Sequence, residues 1–303
     1  MPPIWDSAFR PRFYERWGQE SAVISARTRH AEYPEFQQLL SVKCAWGGAE
    51  EYFVDGQRIA VDDDAFLILN AGRTYASSLK ANEPVDSFAV FFRKGLVESV
   101  RRALVDSTSN LLDDPRREEG GAIEFSEHLR EHDRGVTPIL RHIKTHVDRG
   151  LVDELWLEEQ LQFLAQRLLQ LHDRELERRA PAPSKRAATR RELERRIGIA
   201  INFIHTHYQE PIGLEEIAAA AHLSPHHFLR AFKAACGVTP SSFLNRKRAR
   251  VARRLIERAR WPLTSIAYQA GFGSRTTLYR ALRAADGDLK TSGVDVETTG
   301  CGR

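Results

Sequence analysis

Two runs of side chains near the C-terminal end of the chain have the composition needed to touch nucleic-acid bases. His226, His227, Leu229 and Arg230 follow Ser224-Pro225, and Arg275, Thr276, Thr277, Tyr279 and Arg280 follow Ser274. Arginine can bind guanine in bidentate fashion, worth roughly 1–3 kcal/mol of discrimination, while threonine can hydrogen-bond a base or touch a thymine methyl. Leucine offers only apolar contact. Arg230 and Arg280 could equally contact phosphate or brace the fold, and His226 and His227 could lie on a solvated helix face.

The elements that must position these residues are repeated. Ile217-Ala218, His222-Leu223, Phe228, Arg230 and Phe232 recur as Ile266-Ala267, Gly271-Phe272, Leu278, Arg280 and Leu282, with one residue inserted at Gly273. Each copy reads as a short helix, a tight turn and a second helix. Ser224 before Pro225 is an N-cap followed by proline at the first helical position, and Ser274 is placed to cap the second copy. Gly271 supplies the glycine that a left-handed turn position favours, and histidine tolerates that position at His222 better than most residues. A first helix over 190–207 precedes the pair. A connecting helix over 240–259 carries Arg246, Lys247, Arg248, Arg250, Arg253, Arg254 and Arg258, a density of charge that is self-repelling unless phosphates or acidic groups relieve it.

Charge is correspondingly uneven. Between Ser184 and Arg283 there are 19 Lys/Arg against 6 Asp/Glu, whereas the whole chain of 303 residues carries only +4, so the rest is acidic. This pattern directs the C-terminal part towards a polyanion. Apolar residues make up 42% of the chain, which predicts a globular protein with room for two domains. No apolar run has the length of a membrane span, and the Met-Pro-Pro-Ile-Trp start lacks a signal-peptide layout, so a cytoplasmic location and no membrane partner are expected. Cys44, Cys236 and Cys301 are widely separated without a CxxC, which fits a reducing compartment and supplies neither a disulfide framework nor a zinc site.

The first 93 residues read as strands. Runs at 22–26, 36–46, 51–54, 58–61, 65–69 and 87–92 are divided by turn signals, of which Asp55-Gly56 between Tyr52-Phe53-Val54 and Gln57-Arg58-Ile59 is a hairpin signature. Their regular spacing suggests a small antiparallel barrel or sandwich. Helices are expected over 95–105, 138–148 and 153–178, with a polar loop over 106–121. Leu157, Leu161, Leu164, Leu168 and Leu171 form a short coiled-coil-like seam in the last helix, which either packs within the subunit or faces a second copy. Arg178-Arg179-Ala180-Pro181-Ala182-Pro183-Ser184 reads as a linker.

The run Ile217-Ala218-x3-His222-Leu223-Ser224-x3-Phe228-x-Arg230-x-Phe232-x4-Gly237-x2-Pro240 resembles the first helix-turn-helix of the AraC/XylS family of transcription regulators. Ile266-Ala267-x3-Gly271-Phe272-x-Ser274-x3-Leu278-x-Arg280 resembles the second, and Arg248, Ala252 and Leu255 fit the helix between. Trp46-Gly47-Gly48, Asp55-Gly56-Gln57, Ile68-Leu69-Asn70-Ala71-Gly72 and Phe88-Ala89-Val90-Phe91-Phe92 resemble the family's cupin-like sensor domain. The resemblance implies an α+β protein with an N-terminal cupin-like barrel and helices over 1–178 and an all-α double helix-turn-helix over 190–286; the residues between, 179–189, read as a linker and the poorly apolar 287–303 as a disordered tail. It implies that each recognition helix enters a major groove and that the DNA-facing set is Ser224, His226, His227, Leu229, Arg230, Arg246, Lys247, Arg275, Thr276, Thr277, Tyr279 and Arg280. Promoter DNA, RNA polymerase, a small-molecule effector and a second copy of the chain, docked through the helix around Leu157–Leu171, are the implied partners, and activation is the commoner mode in the family.

Two departures from the pattern shape the expectation. Metal-binding cupins carry a His-x-His, yet no histidine occurs between Ala31 and Glu127, so no catalytic residue, metal or cofactor is assigned. An effector pocket lined by Trp46, Tyr52 and Tyr75 is one reading of the barrel, and plain core packing of those rings is the other. Beyond Gly287 the second copy lacks the counterpart of Pro240 and Phe243, so it is expected to want a closing helix. Two alternatives therefore stand beside a DNA-binding regulator: a dimerising protein with a weakened second reader, and a cupin enzyme fused to a DNA-targeting module. A DNA-alkyl-transfer protein would need a cysteine-rich metal domain that Cys44, Cys236 and Cys301 cannot form.

Overall fold

A computed structural model describes residues 17–105, 123–177, 184–258 and 261–291. The chain divides into two compact units, 1–198 and 199–303. The expected loop over 106–121 and the linker's first residues lie outside the described residues, as does Cys301.

The first unit is built on one antiparallel sheet. Its strands are β1 (Ala22–Gln37), β2 (Ser41–Trp46), β3 (Ala49–Val54), β4 (Gln57–Asp62), β5 (Ala65–Leu69), β6 (Thr74–Phe91) and β7 (Leu129–Glu131). They pair in the order β4-β3-β6-β2-β5-β7, with β1 along β6. The Asp55-Gly56 hairpin forms, Tyr52 facing Ile59 in register, and Asp55 and Gly56 both take the left-handed conformation that such a turn requires. All seven strands contribute to one apolar cluster that includes Ala31, Ala45, Tyr52, Val54, Ile59, Val61, Leu67, Tyr75, Leu79 and Leu129. The sheet thus curls around an interior of its own, as the barrel expectation required.

Two strands exceed the expected runs. β6 extends back to Thr74 because Tyr75, Ser77 and Leu79 alternate inward; the serine hid the period, and Pro84 reads as a strand breaker. The single run expected over 36–46 is divided at Gln38, where the chain leaves β1 and re-enters the sheet as β2.

Three helices cover the sheet's other face: α1 (Leu96–Val105), α2 (Thr137–Asp148) and α3 (Glu154–Glu177). Val42, Cys44, Phe66, Phe88 and Val90 from the strands join Leu96, Val97, Leu140, Ile143, Leu161, Leu164, Leu168 and Leu169 in the largest core cluster. This settles where the seam of α3 points. Leu161, Leu164 and Leu168 are buried in their own subunit, with Leu157 and Leu171 packed against the same cluster. The centre of the seam is therefore packed within its own subunit, while Leu155, Phe163 and Leu176 of the same helix remain exposed.

The second unit is helical. α4 (Ser184–His207) starts six residues before the expected Arg190 and runs across the division between the units. It is followed by α5 (Leu214–Ala220), α6 (Pro225–Cys236), α7 (Pro240–Glu257), α8 (Leu263–Gln269) and α9 (Arg275–Thr291). α9 carries on through Gly287, where a disordered tail was expected to begin. Ala284, Ala285, Leu289 and Lys290 are good helix formers, and one interior glycine costs only about 1 kcal/mol.

Candidate nucleic-acid interface

The two repeats fold into the same backbone. At the end of α5, His222 N–H donates to Ala219 O and Leu223 N–H to Ala218 O. At the end of α8, Gly271 N–H donates to Tyr268 O and Phe272 N–H to Ala267 O. Both helices therefore stop at a left-handed residue, His222 with φ 53° and Gly271 with φ 81°. A bond from Phe228 N–H to Ser224 O, and its counterpart from Leu278 N–H to Ser274 O, then opens the second helix of each repeat.

Behind each reading helix sits a separate core. In the first repeat Ile217, Ala218, Ala221, Phe228, Phe232 and Leu244 are buried. Phe228 and Phe232 pack with tilted rings, centres 5.3 Å apart, and Phe243 of α7 meets Phe232 edge-on at 5.6 Å. In the second, Val251 and Ala252 of α7 pack with Ile266, Ala267, Ala270, Phe272 and Leu278, while Tyr208, Leu255 and Leu282 close the periphery. Among the described residues no helix follows α9. The C-terminal half of α7 and the turn after α4 do the closing instead.

With those cores fixed, the i, i+4 spacing of the apolar anchors throws the other side chains outward. Ser224, His226, His227 and Arg230 are exposed on α6, with Leu229 partly so; Arg275, Thr276, Thr277, Tyr279 and Arg280 are exposed on α9. The two N-termini differ in capping. Ser274 Oγ accepts from Thr277 N–H at 3.2 Å and is 3.0 Å from Thr277 Oγ1, whereas Ser224 occupies the N-cap position without a side-chain cap bond. The expected cap at Ser224 is thus geometric only, with Pro225 presetting the first turn.

The connecting helix holds the clearest correction. Arg246 is partly exposed, but Lys247 is fully buried, its ammonium 4.9 Å above the centre of the Tyr208 ring. A side chain in that position cannot meet a phosphate, and Lys247 leaves the DNA-facing set. Its spacing from Leu244 and Val251 places it on the helix's apolar face, a signal that the positive charge concealed. Two arginines of α7 that sequence reasoning left unassigned are also engaged within the fold. Arg248 Nε donates to Tyr208 O at 2.7 Å and its Nη2 to Glu210 O at 2.7 Å, and Arg253 Nη2 donates to Leu282 O at 3.3 Å. Backbone carbonyls therefore relieve part of the self-repulsion that phosphates or acidic groups were expected to relieve.

The residues suggested for an effector pocket do not share one. Along β2 side chains alternate between faces, so Trp46 joins the helix-covered cluster, 5.9 Å from the Phe88 ring and stacked on His132 at 6.0 Å. Tyr52 and Tyr75 lie in the sheet's interior with ring centres 5.9 Å apart. Lys43, overlooked in the sequence, projects to their side and is buried, with its ammonium 3.7 Å from the centre of the Phe91 ring and 5.1 Å from that of Tyr75. Burial pushes its pKa down to about 7, against the opposing pull of Glu50, whose carboxylate accepts a 2.6 Å bond from the Ser87 hydroxyl. Among the described residues no group of three or more His, Cys, Asp or Glu could hold a metal ion, and no helix is long and apolar enough to cross a membrane.

Residues 217–288 match the Helix-turn-helix domain family. The probable transcriptional regulator LumQ of Photobacterium leiognathi is 29% identical over 167 residues, 55% of this chain and 60% of that protein. The regulatory protein PocR of Salmonella typhimurium is 31% identical over 84 residues, 28% of each chain. The HTH-type transcriptional activator RhaS of Klebsiella pneumoniae is 34% identical over 88 residues, 28% of this chain and 32% of that one. The chain thus spans 60% of LumQ and about a third or less of the other two. An apo variant of ToxT from Vibrio cholerae aligns over 88% of this chain and 93% of its own at 11% identity, with a TM-score of 0.37. Residues 217–288 are thus a double helix-turn-helix similar to those of transcription regulators, on a chain of α+β class whose other unit is a barrel-like sheet with helices.

Proposed function

We propose that this protein is a sequence-specific DNA-binding transcription regulator, in which α6 and α9 each present side chains to a segment of major groove. The observation that carries the reading is the repeated, outward-facing set: His226, His227, Leu229 and Arg230 on one helix, Arg275, Thr276, Thr277, Tyr279 and Arg280 on the other, each behind its own left-handed turn. Ser224 and Arg246 complete the set as phosphate contacts, since hydroxyls and arginines at the edge of a recognition helix position it on the backbone. The relatives' names support regulation, and RhaS, named an activator, favours activation with RNA polymerase as a partner. The first unit acts as sensor. Its effector, in this reading, is a small molecule, and the site of action is the cytoplasm.

The test is a binding titration of the full chain on duplexes it selects from a randomised pool, repeated across salt concentrations. The proposal expects selection of a consensus and a steep linear fall of log K with log salt, because several phosphate contacts release counterions. Equal affinity for every duplex, or no binding at low salt, would falsify it. Arg230→Ala and Arg280→Ala then divide the two readers: if only the first abolishes selectivity, the second reader is idle and the runner-up, a regulator with one working reader, replaces the proposal.

A further inference from the structure

We infer that Arg248 is the positioning residue of the second reader: it holds the turn at 208–210 as the seat on which the interhelical turn of α8 and α9 rests, and so sets how α9 meets DNA. This rests on the DNA-reading proposal for its consequence but not for its geometry. The guanidinium bridges two carbonyls of that turn, Tyr208 O and Glu210 O, each at 2.7 Å. Tyr208 directly follows the last residue of α4, at a helix end that concentrates partial negative charge and favours a cation. The residue between Tyr208 and Glu210 is tied to the second reader, since Gln209 Nε2 donates to the carbonyl of Gln269, the last residue of α8, at 3.1 Å. Two residues further on, Gly271 abuts the same turn. A Cβ there would collide with Tyr208 O and lie 2.9 Å from Arg248 Nε and 3.0 Å from Gln209 Cα.

The corresponding residue of the first reader, His222, is exposed and carries a full side chain where the second reader has a glycine. The first reader instead is closed by α7 through Phe243 on Phe232. A planar guanidinium suits the seat because its fixed fork can satisfy two acceptors at once, which a lysine ammonium on a flexible stem does less well. Arg248 thus belongs to the charge-rich helix that looks built for phosphates, yet its Nε and Nη2 donate inside the fold.

The test uses the full chain and a duplex that the wild type selects from a randomised pool, with hydroxyl-radical footprints of wild type, Arg248→Ala and Arg248→Lys. Arg230→Ala and Arg280→Ala assign each protected block to its helix. Arg248→Ala is expected to lose the block read by α9 and keep that read by α6, with Arg248→Lys recovering part of it. Amide exchange without DNA gives a second readout: residues 275–284 should exchange faster in Arg248→Ala while 225–236 are unchanged. Uniform weakening of both blocks, with the salt slope reduced by about 0.9 as for one lost phosphate contact, would make Arg248 a DNA contact and overturn the inference. Equal acceleration of both segments would make it a general structural residue, and unchanged exchange with an unchanged footprint would leave it no role; either result also overturns it. If the wild type selects no sequence, the DNA-reading proposal fails on its own and the exchange comparison still decides the positioning role.

Discussion

In the first reader the left-handed turn residue is His222, exposed to solvent, and the core behind the turn is finished by two phenylalanines and Phe243 from the helix that follows. In the second the same position is Gly271, pressed against the backbone of 208–210, and the core is finished by α7 and Tyr208. The hydrogen bonds of the two turns match pair for pair. One backbone motif is therefore stabilised in two ways: by helices on both sides in the first copy, and by docking onto elements earlier in the chain in the second. The difference teaches that a repeat's reading geometry can be kept while its support is moved elsewhere.

The largest expected effect that sharpens this contrast is at the turns. Gly271→Ala should destabilise the second reader by about 2–4 kcal/mol, combining a left-handed alanine with overpacking against backbone, and should lower the chain's melting temperature. His222→Ala should shift stability by less than about 1 kcal/mol, because both residues pay for a positive φ there. Similar losses at the two positions, measured by denaturant melts, would erase the distinction drawn here.

A smaller contrast lies at the caps. Ser274→Ala should cost about 1 kcal/mol, whereas Ser224→Ala should be near neutral in stability, since only Ser274 bonds a helix amide. Chemical denaturation of both variants checks this, and a clear loss for Ser224→Ala would show that its hydroxyl caps α6 after all. The smallest effect concerns Lys247. Lys247→Met should leave the slope of log K against log salt unchanged, because the buried ammonium meets a tyrosine ring rather than DNA. A slope smaller by about 0.9 would restore Lys247 to the phosphate contacts.

Much of this was legible in the sequence where local rules act alone. The repeat, the positive-φ turn at His222, the proline at the start of α6 and the Asp55-Gly56 hairpin each depend on residues within a few positions of one another. What escaped depended on which side of an element another element covers. Whether Trp46 and Tyr52 lined one pocket or packed as core stayed open until strand alternation placed them on opposite faces of the sheet. Leu157 to Leu171 had the period of a coiled-coil seam, but the period does not say whose apolar face fills it. Lys247 read as phosphate-facing because charge was counted without helix phase, although Leu244 and Val251 already marked the buried face. The persistence of α9 past Gly287 shows the opposite error, in which missing family anchors were taken for missing structure.

The most direct measurement is a hydroxyl-radical footprint of the full chain on a duplex it has selected from random sequence. Two working readers joined by α7 should protect two blocks on one face of the duplex, about one helical turn or 10 base pairs apart, each losing definition separately in Arg230→Ala and Arg280→Ala. A single protected block, unmoved by Arg280→Ala, would contradict a double reader.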